Sequence, residues 1–153
     1  MLIRWSPGAV ICSLTLAISA LGAGCASDAT PSLDPADYRA ALASLCTASA
    51  TERSELAPPD DLGVAPFASA VADILMRQAD AARALRPPAD LDADHRAFVQ
   101  NTADQASEWT ALATTSPEDA EQFGALQTSI LELTLGRDDL AAAMGVPECR
   151  VQT

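Results

Sequence analysis

The sequence predicts an all-α fold: a four-helix bundle in up-down-up-down order, braced by one disulfide. Three observations carry that expectation. Four segments place apolar residues at helical spacing, and each is bounded by proline, glycine or a capping polar residue. Aromatic residues make up only 4% of the chain while alanine is abundant, which suits close helix packing better than a sheet core. No stretch alternates apolar and polar residues as a half-buried strand does. At 153 residues and 49% hydrophobic content the chain is the size of one domain and rich enough to bury a core.

The first 24 residues read as a processing signal. Arg4 supplies a charged start, and Ala9 to Leu21 form an apolar run too short to cross a bilayer comfortably. Small residues then lead into a cysteine, in the order Leu21-Gly22-Ala23-Gly24-Cys25. This run resembles the lipobox of bacterial lipoproteins, with its large apolar residue four places before the cysteine, where three is commonest, and Gly22 in the third place. The resemblance implies that residues 1–24 are cleaved and that Cys25 is diacylated. It further implies that 25–33 form a lipidated tether, and that the domain from 34 to 153 is extracytoplasmic, held at the cell membrane by a diacylglyceryl anchor. The polar segment Ala26 to Leu33 spans at most about 28 Å, so the domain is expected close to the bilayer.

Processing leaves an even pair of thiols. Cys12 departs with the signal and Cys25 carries the lipid, so Cys46 and Cys149 remain, and an oxidising compartment favours their pairing. The alternative is two unpaired buried cysteines acting as small hydrophobes. The loop closed by the bond is 103 residues long, for which the chain-entropy model gives about 4–5 kcal/mol.

The first helix opens with Asp34 as N-cap and Pro35 at the first helical position, and carries Tyr38, Leu42, Leu45 and Leu56 on one stripe before Pro58 and Pro59. It is expected over 35–56, with an earlier end near 50 possible because "TASATERSE" is a poorer helix former. The second runs through Phe67, Val71, Ile74, Leu75, Ala82 and Leu85 to Pro87 and Pro88. The third spans about Asp90 to Thr114, with Leu91, Phe98, Trp109 and Leu112 on its stripe. For the fourth, Ser116 is the expected cap and Pro117 the first residue; Phe123, Leu126, Ile130, Leu133, Leu140 and Met144 form its seam, and Gly145 its end.

Charge restricts the partners. All 21 acids lie beyond Cys25, against eight remaining arginines and no lysine, so the processed chain carries a net charge of −13. Nucleic acid and anionic headgroups repel such a surface, and attachment to a membrane depends on the acyl chains.

The chain lacks the patterns that catalysis or a metal demands. Asp90, Asp92 and Asp94 alternate like a calcium loop, but His95 stands where that loop needs glycine and Asn101 where it needs glutamate. Acids at a helix start already complement its dipole. His95 is the sole histidine, which denies a di-iron or zinc site its partners, and there is no nucleophile elbow or phosphate loop. No cofactor, metal or enzymatic activity is therefore expected. Polar residues do interrupt the apolar stripes: His95, Gln78 and Arg137. With Tyr38, they are expected at similar heights near the tethered end of the bundle, as a candidate ligand pocket or as side chains reaching solvent.

From 34 to 150 the chain also looks like small secreted or lipid-anchored helical proteins of high-GC actinobacteria, in its tyrosine followed by "LC", its "LRPP" turn and its final "MGVPEC". That resemblance implies an envelope protein and assigns no activity. The expected role is a protein-interaction or accessory module of the envelope. A small-ligand-binding lipoprotein is the alternative.

Overall fold

A computed structural model describes residues 31–151; the expected signal segment, the lipobox-like run and Cys25 lie outside these residues. The described chain is helical throughout: α1 (Pro35–Ser54), a short α2 (Pro59–Leu62), α3 (Val64–Arg83), α4 (Asp92–Thr114), α5 (Ala120–Met144) and a closing 3-10 turn, Pro147–Cys149. The four long helices alternate in direction. Leu33 donates its N–H to the Arg86 carbonyl (2.9 Å), and Tyr38 reaches both His95 and Met144, which brings the start of α1, the end of α3, the start of α4 and the end of α5 to one pole. At the other pole the start of α3 meets the end of α4, where Phe67 and Trp109 pack edge to face with centroids 6.1 Å apart.

Local chemistry explains most boundaries. Asp34 caps α1, its Oδ1 accepting from the N–H groups of Ala36 and Asp37, each at 2.9 Å. The expected start of the fourth helix is corrected: Asp119, not Ser116, is the cap of α5, accepting from the Gln122 N–H at 3.2 Å. Ser116 instead accepts from Glu118 within a turn, because a serine followed by proline suits a turn as well as a helix start. α1 ends at Ser54, two residues short of the expected 56 and ahead of the paired prolines, and the fixed φ of Pro59 opens α2. At its far end α5 closes in a Schellman arrangement. Gly145 has φ 72°, its N–H bonds back to the Ala142 carbonyl (3.1 Å), and the Val146 N–H bonds to the Ala141 carbonyl (2.9 Å).

The packing is not that of four equivalent walls. α3 lies along α4, and α4 along α5, whereas α1 touches α3 and the C-terminal tail. The tail residues 146–151 fill the seam between α1 and α5. Cys46 and Cys149 are joined by a disulfide with Cα atoms 4.9 Å apart, and Val146 and Cys149 are buried with Tyr38, Leu42 and Met144. Beyond the bond, the Val151 N–H donates to Asp138 Oδ1 on α5 (2.9 Å). The tail thus follows α5 backwards, bonded to α1 on one side and to α5 on the other.

Two apolar clusters make the core. The larger sits at the pole where α1 begins, around Tyr38, Leu42, Phe98, Val99 and Met144; the smaller, at the far pole, holds Val71, Leu75 and Ala106 with Phe67 and Trp109 against them. The seam expected on the fourth helix is only half-buried except at Met144, and the buried face of α5 is instead Arg137, Ala141 and Met144. The N-terminal half of α5 contributes no fully buried residue.

Gly145 offers a sharp test of the seam. A Cβ there meets Arg39 Nε at 3.3 Å, displacing the bond that this nitrogen donates to the Met144 carbonyl, and the positive φ strains any side chain. Gly145→Ala is expected to lower stability by about 1–2 kcal/mol in urea unfolding. Gly124→Ala, which meets nothing within 4 Å on the same helix, is expected to be neutral or stabilising by up to about 1 kcal/mol.

Candidate functional site

Three places bring chemistry together, and the four residues singled out from the sequence are divided among two of them. At the pole where α1 begins, the Tyr38 hydroxyl lies 3.0 Å from His95 Nδ1 and 3.3 Å from Met144 Sδ, with the two rings edge to face at 5.7 Å. Both residues are buried. Burial raises the Tyr38 pKa to about 12 and lowers that of His95, so both are neutral at neutral pH.

His95 also lines a cleft of about 570 Å³ between the end of α3 and the start of α4, with Arg83, Arg86, Arg96 and Asp92 around it. Two of the three arginines are already neutralised: Arg83 pairs with Asp80, and Arg96 with Asp92 at 3.0 Å. These pairs are more than half exposed at the arginine and contribute little to stability. Arg86 makes no ion pair among the described residues.

Gln78 and Arg137 do not join this cleft. Gln78 accepts from the Ser49 hydroxyl (3.0 Å) and donates to Cys46 Sγ (3.2 Å), deep between α1 and α3. The expected common height near one end does not account for an oblique α1. Between the Leu33–Arg86 and Ser49–Gln78 contacts the chain advances sixteen residues on the α1 side, Leu33 and Asp34 preceding the helix, and eight on the α3 side, so the two run obliquely. Only Tyr38 and His95 of the four therefore touch. Gln78 and Arg137 belong to a polar layer between the two apolar clusters, which also holds Ser49, Thr102 and Gln105. Thr102 returns its hydroxyl to the Phe98 carbonyl (2.8 Å), and Gln105 donates to Asn101 Oδ1 (2.8 Å) and the Leu133 carbonyl (3.3 Å). Sequence reasoning missed these three, although their spacing on the buried stripes carried the signal. Arg137 is the exception within the layer: it is 1% exposed, and its Nε and Nη1 have no partner.

The third place is apolar. At the far pole Val64, Phe67, Trp109, Leu112, Phe123 and Ile130 line a groove of about 370 Å³ where the start of α5 stands off α3 and α4. Leu62 and Val64 are exposed at the same pole, and Leu131 and Leu135, 59% and 57% exposed, form a second apolar stripe along α5. The segments that carry the groove also carry acids: Asp60 and Asp61 on α2, and Asp119 and Glu121 at the start of α5, all exposed.

Among the described residues no group of three or more His, Cys, Asp or Glu side chains is placed to hold a metal ion, and no helix is long and apolar enough to cross a membrane. Comparison with family models, with curated proteins and with solved structures finds no match to this chain.

His95 gives the site a pH signature. Its folded pKa lies below the ordinary 6.5, so on acidification the unfolded chain takes up the proton first. The stability that the neutral ring contributes is complete above about pH 6.5 and is lost as the pH falls from there toward the folded value. The urea midpoint is expected to fall between pH 7 and pH 5.5, and His95→Gln is expected to flatten that part of the profile while lowering the plateau.

Proposed function

We propose that the protein is an exported, lipid-anchored binding domain whose apolar groove receives a basic segment with one apolar face from a partner protein of the cell envelope. The observation that carries this reading is the groove itself. Soluble domains seldom leave two phenylalanines, a tryptophan, a leucine and an isoleucine around an open depression unless something covers it. The acids on α2 and at the start of α5 select the occupant. They repel a second copy of this strongly acidic chain and attract a cationic helix, whose apolar anchors fit a groove between helices.

Anchoring through Cys25 is part of the same proposal, supported by the lipobox-like run and by the even cysteine pair that it leaves. The groove lies at the pole opposite Leu33, so a tether entering through that residue leaves the groove facing away from the membrane. Activity by binding rather than catalysis is in keeping with the sole histidine, which is held neutral between Tyr38 and the cleft wall. The alternative of a small ligand at the tether-side pole has the 570 Å³ cleft in its favour. It ranks second because two of the cleft's arginines are spent on Asp80 and Asp92.

Trp109 is the sole tryptophan beyond Trp5 and lines the groove, so its fluorescence reports occupancy once the signal segment is removed. Titration uses two model amphipathic helices with the same leucine pattern, one with lysine and one with glutamate on the polar face. The lysine peptide is expected to shift the Trp109 emission saturably, to weaken as salt rises, and to lose about tenfold or more in affinity against Phe123→Asp. Equal binding of both peptides, no binding of either, or self-association of the protein in place of binding would contradict the proposal.

A further inference from the structure

The buried guanidinium of Arg137 is out of keeping with the rest of the polar layer, in which Ser49, Gln78, Thr102 and Gln105 all make hydrogen bonds. Arg137 makes none among the described residues, and two of its nitrogens are fully enclosed. Burial lowers its pKa to about 10, which still leaves it charged at neutral pH. Across the seam, Arg53 on α1 lies near enough for its own charge to depress that pKa further, and Arg53 is itself partly buried, with Nε donating to the Ser49 carbonyl at 3.4 Å. Asp138, the acid whose charge favours the Arg137 cation, gives Oδ1 to the Val151 N–H.

Arg137 is therefore a buried cation with enclosed and unpartnered N–H groups, and the charge of Arg53 on α1 adds to its cost instead of offsetting it. Each such group costs on the order of a hydrogen bond or more, and an uncompensated buried charge costs more still. A chain with 21 acids brings none of them into hydrogen-bond contact with this cation among the described residues. We infer that the seam between α1 and α5 is an anion site, in which a small monovalent anion of chloride size accepts from Arg137 and is shared with Arg53.

Size follows from the surroundings. Arg137 is 1% exposed and lines neither the 570 Å³ cleft nor the 370 Å³ groove, so an occupant enclosed beside it is an ion or a water molecule and not a metabolite. A water molecule satisfies the donors but not the charge, and that difference makes the inference testable.

The experiment is thermal unfolding of the oxidised protein in sodium chloride and in sodium gluconate at one ionic strength. Gluconate is too large for the site. Stabilisation specific to chloride is expected, with a midpoint rising by about 5 °C for each tenfold increase above the dissociation constant. The specific rise is expected to vanish in Arg137→Met and to weaken in Arg53→Gln; should Arg137→Met fail to fold, the more exposed Arg53→Gln decides. Equal midpoints of the native protein in the two salts would overturn the inference. So would a chloride effect that both substitutions leave intact, because the ion would then bind elsewhere.

Discussion

The disulfide between Cys46 and Cys149 acts at the place where the bundle is otherwise incomplete. α3, α4 and α5 pack side by side as a layer, and α1 leans across one edge of it at an angle. A helix crossing obliquely touches its neighbour over a short length, so α1 alone cannot close the space toward α5. The tail closes it. Val146 and Cys149 enter the larger apolar cluster, the bond fixes them to the middle of α1, and Asp138 holds the next turn of the chain to α5. Because the bond spans 103 residues, it also removes a large part of the unfolded chain's freedom, about 4–5 kcal/mol on the entropic account. Arg39, Tyr38 and the Schellman turn at Gly145 reinforce the same seam from its lower end.

At the height of Ser49 the interior changes from apolar to polar. Below that height Tyr38, Leu42, Phe98 and Met144 exclude water; at it, Ser49, Gln78, Thr102, Gln105 and Arg137 replace them. A hydrogen-bonded layer of this kind contributes less net stability than an apolar one, but it penalises any sliding of one helix past another, because each shifted register leaves donors unpaired. The far pole is the weakest in burial: the first half of α5 is only half-covered, and the groove around Trp109 stands open. The molecule is thus closed and cross-linked near the pole where α1 begins and open at the other.

Much of the secondary structure was legible because its signals are local. Asp34-Pro35, the paired prolines at 58–59 and 87–88, and Gly145 each act through a single residue's torsion or side chain. The cysteine pairing was legible by elimination, given the reading of Cys25. Ser116 misled because its signal is shared between two local structures: a serine before proline suits a turn as well as a helix start, and the capping bond is made by Asp119. The convergence of Tyr38, Gln78, His95 and Arg137 was beyond reach for a different reason. Periodicity gives the face of a helix but not the angle at which it crosses its neighbour, and the crossing of α1 separates Gln78 from Tyr38. The interruption of the stripes by polar residues was visible; that Arg137 stands without a partner depends on three-dimensional neighbours that no spacing rule contains.

The account rests on the claim that the disulfide-held tail, and not α1 itself, joins the two edges of the bundle. Amide hydrogen exchange under native conditions, compared between the oxidised and the reduced protein, tests it directly. Reduction is predicted to accelerate exchange first and most in α1, from Tyr38 to Ser54, and in the tail from Val146, while amides of the α3–α4 pair around Leu75 and Ala106 keep the greater part of their protection. Protection lost equally from all four long helices, or an α1 whose exchange is indifferent to reduction, would contradict it.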